Sequence, residues 1–276
     1  MVSRQQAYDP QGPYGYPTPP EWQAPPERVR GRGAAVVFWI ALAGFAAAAV
    51  GVGIQVFPRH FSAAQQQQIM AWEVQGRWHD LPAARIFPSR ISYAPPSVLN
   101  DIGSSLTLKA DRLGVARQAP CRKATDPAAA AILARGGCQA VLRATFTDAT
   151  DTYVATVGVA PLSSAGQAQD AQTELGAKNL RMSDGRAPGV RTASFPGTPA
   201  SGFTDNRRQL SGSVVSGSYL VMYAVGYTDD RALVPVSSDS YAKAEMTSFA
   251  RGVAASAADT LGTPPPPPHC PGAPGC

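Results

Sequence analysis

Histidine is nearly missing from this chain: there are three in 276 residues, His60, His79 and His269. None falls in a stretch that reads as sheet. A Ser-His-Asp or Cys-His relay would have to carry one of them into a cleft. No G-x-S-x-G turn, H-E-x-x-H helix or phosphate-binding P-loop accompanies them. The expectation is a protein that is not an enzyme, with no catalytic residue, cofactor or metal assigned. Acidic pairs do occur, at Asp148/Asp151 and Asp229/Asp230, but they sit at hairpin tips, where carboxylates are common turn formers.

Charge is scarce too, at 16% of residues with a formal net charge of +5. No dense basic run accompanies aromatic platforms, so nucleic acid is not an expected partner. Lys178, Arg181, Arg186 and Arg191 fall in one Gly/Pro-containing stretch, and Arg207 and Arg208 in another. They are the candidate contacts for anionic wall polymers or lipid headgroups, set against the plainer reading of solvated loop charges.

What is present begins with the stretch from Ala34 to Phe57, which holds no charge and one polar side chain, Gln55. A helix of that length covers roughly 36 Å, enough to cross a ~30 Å hydrocarbon core. A cleaved signal peptide has a shorter apolar core and a shorter leader. Arg28, Arg30 and Arg32 precede the span, and only Arg59 and His60 follow closely, so the N-terminus is expected inside and the C-terminal part outside a cell membrane. Ala43, Ala47 and Gly51 would share one helix face and could seat a weak homodimer, although such spacings are common in a segment this rich in Ala and Gly.

The rest divides by composition. Residues 1–33, rich in Pro, Tyr and Gly, read as a disordered tail; 34–57 as a transmembrane helix; 58–80 as a helical stalk. Residues 81–262 form the expected folded domain, and 263–276 a Pro-rich tail ending in a Cys pair.

Within the domain, residues 138–148 and 152–161 alternate as a hairpin. Pairing Thr147 with Thr152 sets Phe146 opposite Tyr153 and Ala144 opposite Ala155, with Arg143, Thr145 and Thr156 on a solvated second face. Asp126-Pro127 starts a helix that stops at Gly136-Gly137, and further helices are expected over 163–178 and from about 238 to Gly262. Other strands are expected at 190–195 and 219–227, an edge strand at 233–236, and two more within 85–93 and 111–116, with Pro88 confining the first of these to an edge. The fold class expected is α+β, a single transmembrane helix followed by an antiparallel sheet with helices on one face.

Of three connectivities open to Cys121, Cys138, Cys270 and Cys276, the sequential one is favoured, because a Cys121–Cys138 bond would tie both ends of the 127–135 helix. His269, Cys270 and Cys276 also offer three metal-ligand types but no fourth.

Residues 86–88 (IFP), 137–148 (GCQAVLRATFTD), 153–160 (YVATVGVA) and 269–276 (HCPGAPGC), behind the tail and span, resemble single-pass membrane proteins of high-GC actinobacteria, streptomycetes especially, to which no activity is attached. The plan is also similar to sensor domains carried outside the membrane by actinobacterial kinases. The resemblance implies a bacterial cell membrane and nothing catalytic. The function expected is a non-enzymatic extracytoplasmic binding or interaction module. Its rivals are a sensor for a small molecule or wall polymer acting through a partner, with a pocket lined by Tyr219, Tyr223 and Tyr227, and a secreted-side hydrolase.

Overall fold

The computed structural model describes residues 37–45, 61–96, 106–181, 187–229, 231–234 and 240–263. They belong to two compact units, Met1–Pro58 and Arg59–Cys276. In the first unit, residues 37–45 form helix α1, whose Phe38, Trp39, Ile40 and Phe45 are each at least 62% exposed. Among the described residues no helix is long and apolar enough to cross a membrane. The remainder of the expected span, including Ala47 and Gly51, lies outside the described residues, as do the tails, His60, Arg186 and Cys270 with Cys276.

The second unit is α+β, as expected. Strands β1 (Arg90–Tyr93), β2 (Leu108–Pro120), β3 (Ala140–Asp148), β4 (Tyr153–Pro161), β5 (Leu210–Ser216) and β6 (Tyr219–Tyr227) form one sheet in the order β1-β2-β3-β4-β6-β5, and every pairing is antiparallel. β1 is an edge strand, and Pro88 stays just outside it. The β3-β4 register is two residues away from the expected one: Phe146 pairs with Ala155 and Ala144 with Val157. The cause is a longer turn. Asp148 accepts from the Tyr153 amide at 2.7 Å and the Thr150 amide at 3.2 Å, and Asp151 takes a φ of 51°. A shift of two keeps every side chain on its expected face.

Helix α7 (Ser240–Gly262) covers the first face, burying Ala242, Met246, Phe249, Val253 and Leu261 against Phe146, Val157, Val221 and Val225. Gly252 on α7 admits Tyr93, whose Cβ occupies the space a side chain there would need. Helix α2 (Ala63–Asp80) starts at a Ser62–Gln65 capping box. It is not a detached stalk, because Val74 and Trp78 pack on the same core and the Trp78 amide donates to Tyr219 Oη at 3.3 Å. The short α3 (Ala83–Ile86) follows and buries Ile86.

Helices on one face only was the expectation, and the second face corrects it. Helices α4 (Cys121–Ala124), α5 (Pro127–Arg135) and α6 (Ala165–Arg181) pack there on Val141, Ala160, Leu220 and Met222. Residues 187–209 cross the rest as a strap with no regular structure beyond a 3-10 turn at Asp205–Arg207 and an isolated bridge from Val190 to Thr125. The expected strand at 190–195 is therefore absent, and the strand preceding β6 is Leu210–Ser216 instead. Residues 233 and 234 form no strand; the Val234 amide donates to the Gln209 side chain at 2.8 Å.

Asp126 stands at the N-cap of α5, but its carboxylate does not cap the helix. It accepts from Arg208 at 2.8 and 3.1 Å and from the Gly189 amide at 3.0 Å, fixing the strap. Cys121 and Cys138 are bonded, with Cα atoms 6.3 Å apart, and close the α4–α5 unit as expected.

Candidate functional site: a tyrosine-lined cleft at one end of the sheet

The turn that displaces the β3-β4 register also builds a cleft. Its volume is about 370 Å³, and its walls are Tyr93 from β1, Leu108 from β2, the turn residues Asp148, Ala149, Thr150 and Thr152, Tyr153 from β4 and Glu245 from the first turns of α7. Each wall is fixed by its own bonds. The Tyr153 hydroxyl donates to Glu245 Oε2 at 2.7 Å, and Tyr93 packs on Phe249 with ring centroids 5.6 Å apart. Thr147 Oγ1 donates to Asp151 Oδ1 at 3.0 Å, and Thr150 Oγ1 to Thr152 Oγ1 at 2.9 Å.

Behind Tyr153 the aromatic cluster continues to Tyr227, 5.5 Å away between ring centroids, and the Arg231 guanidinium lies 4.0 Å over the Tyr227 ring. Arg231 is also paired with Asp229, so the second predicted turn pair is in part a structural ion pair. Burial pushes the Tyr93 hydroxyl pKa well above its ordinary value, and the nearby Asp148 and Glu245 charges add to this. Burial first, then the bond to Glu245, does the same for Tyr153. Both phenols are neutral at neutral pH, and both carboxylates already accept hydrogen bonds.

The face proposed for a ligand from the sequence is closed. Tyr219, Tyr223 and Tyr227 are 0%, 8% and 8% exposed, because α7 and the last turns of α2 lie over them. Alternation along β6 marks a buried face without saying what buries it. The basic stretch is likewise not a presented patch where it is described. Arg191 Nε lies 4.0 Å from Asp205, Lys178 is half-buried on α6, and the Arg181 side chain lies outside the described residues. Arg143 donates to the Arg191 and Thr192 carbonyls at 3.1 and 3.3 Å. Burial holds its guanidinium below its ordinary pKa; Asp205 opposes that shift and Arg191 adds to it.

His79 is exposed and stacks on Trp78, with centroids 3.5 Å apart, beside a smaller cleft of about 270 Å³ shared with Gln75, Gln139 and Ser163. Among the described residues no group of three His, Cys, Asp or Glu side chains is placed to hold a metal.

Sequence reasoning placed Tyr153 on the core face but missed Tyr93, Thr150 and Glu245 as partners in a site. The available signal was the Asp148-to-Tyr153 spacing, which allows an Asp side chain to close a turn, together with Tyr241 and Glu245 one helical turn apart. No family model, curated protein or solved structure matches the chain.

Proposed function

We propose that the chain is a non-enzymatic, membrane-anchored binding module of a bacterial cell envelope, with the Arg59–Cys276 unit on the outer side and the tyrosine cleft as its binding site. The observation that carries this is the cleft itself, whose aromatic walls and two carboxylates are held in place by the surrounding turn and helix. The apolar run of residues 34–57, the arginines before it and the Cys121–Cys138 bond support the location, since disulfides persist in oxidising compartments. The proposal keeps the resemblance to actinobacterial single-pass proteins as its biological setting.

Two measurements test it. Protease added to intact cells stripped of wall should remove the unit after residue 60 and spare the N-terminal tail; a protected C-terminal unit would refute the topology. Cross-linking in membranes followed by capture should recover defined envelope components with the full-length chain and fewer with Glu245→Gln. Recovery of nothing above background counts against the module. A sensor acting through a partner is the second reading. It is favoured by the cleft lying where β1, the β3-β4 turn and α7 meet, so that a ligand there would contact three elements at once.

A further inference from the structure

The full charges on the walls of the tyrosine cleft are of one sign. Asp148 and Glu245 line it, and among the described residues no lysine or arginine does. Arg231, beside the neighbouring Tyr227, is engaged by Asp229 and by the face of that ring. Glu245 accepts from the Tyr153 hydroxyl at 2.7 Å and is also bonded to Tyr241, and a carboxylate with about four lone-pair sites has acceptor capacity left over. An anion would meet two negative charges. A neutral polyol would find hydroxyl partners but would bring no counter-charge to the two acidic side chains of the walls.

A positive group bound between phenol rings and carboxylates satisfies both features, by attraction to the ring faces and to the charges. The cluster already does this once within the chain, where the Arg231 guanidinium sits 4.0 Å above Tyr227. Aromatic walls favour an organic cation, whose weakly hydrated surface can pack on rings, over a small metal ion that needs a cage of oxygens.

We infer that the cleft bounded by Tyr93, Tyr153, Asp148 and Glu245 binds an organic ammonium ion, primary or quaternary, carried on a small molecule that fits about 370 Å³. This rests on the binding-module reading and names the chemical class of its ligand.

The test is calorimetric titration of the full-length protein in detergent with choline, with butylammonium, and with 3,3-dimethylbutanol, which has the shape of choline without its charge. Methyl glucoside serves as the polyol. Choline or butylammonium should bind at least about tenfold more tightly than the neutral alcohol. Glu245→Gln should weaken that binding by about tenfold, whereas Tyr153→Phe, which keeps the ring, should weaken it only about threefold. A thermal melt of each variant checks that the fold is kept.

Equal binding of choline and its neutral isostere would overturn the charge-based inference while leaving a binding module in place. Binding of methyl glucoside alone would make the cleft a polyol site and overturn it too. Binding of none of the four probes would overturn the ligand class, and the envelope capture experiment would still judge the module independently.

Discussion

One face of the sheet is closed chiefly by helix α7, the other by helices α4 to α6 and a strap, and α7 and the strap are held by different physics. Under α7 the contacts are apolar side chains at helical spacing: Met246, Phe249, Val253 and Leu261 meet the alternating residues of β3, β4 and β6. The helix satisfies most of its own backbone, so apolar burial is the main term that holds it, at about 25 cal/mol per Å² of apolar area removed from water, with side-chain bonds such as Tyr153 to Glu245 added at its edge. The strap has no ladder of its own, so each of its buried polar groups needs a partner. Arg191 donates its amide to the Ala124 carbonyl at 2.8 Å, Ala193 bonds both Thr145 and Thr156, and Thr192 bonds Asp205. Gly158 and Gly226 leave troughs in the sheet. A Cβ at either would lie 2.6 Å from Val190 Cγ2 or from the Arg207 carbonyl oxygen, respectively.

If the helical face is held by packing, Phe249→Ala should give the largest loss, about 4 kcal/mol in a denaturant melt, because it removes a fully buried ring and leaves a cavity. The same loss at full cooperativity is expected whichever face is probed. A loss under 1 kcal/mol would mean that α7 is peripheral.

The strap should break through its ion pair. Arg208 and Asp126 side chains are 9% and 19% exposed. Asp126→Ala therefore leaves a buried guanidinium without compensation and should cost about 3 kcal/mol, whereas Asp126→Ala with Arg208→Met should recover part of it. Recovery is the informative result, since simple loss of an α5 cap would not be repaired by changing Arg208. Replacing both Cys121 and Cys138 by Ser should cost about 3 kcal/mol, and the melt should remain measurable because the cores persist. Gly158→Ala should cost about 2 kcal/mol by lifting Val190 off the sheet.

This contrast also explains what the sequence made legible. Helix α7, β6 and the hairpin strands were readable because apolar side chains repeat with the period of their element, and the N-terminal Asp-Pro and C-terminal Gly of α5 mark its ends. The strap was misread because residues 190–195 have strand-like composition but pair with side chains and single carbonyls, which leave no period. Thr145 and Thr156 looked solvated for the same reason: threonine on a sheet face is polar in pattern, yet both are fully buried and bonded to Ala193 of the strap. The cleft was illegible because its walls come from β1, a turn and α7, which only the fold brings together.

The smallest expected effect separates the two faces most directly. Thr145→Val keeps the volume of the side chain but removes the hydroxyl that donates to the Ala193 carbonyl at 2.7 Å and meets Thr156 Oγ1 at 2.9 Å. One buried carbonyl loses its donor, a cost of about 1 to 2 kcal/mol. If the strap opens as its own unit, that loss appears first in local fluctuations and not in the global melt. Amide hydrogen exchange should then quicken at Ala193 and Arg191 while the amides of α7 from Met246 to Ala258 keep their protection. Equal acceleration on both faces would show that strap and helix open together, and the division between a packed face and a hydrogen-bonded one would then have no counterpart in how the domain opens.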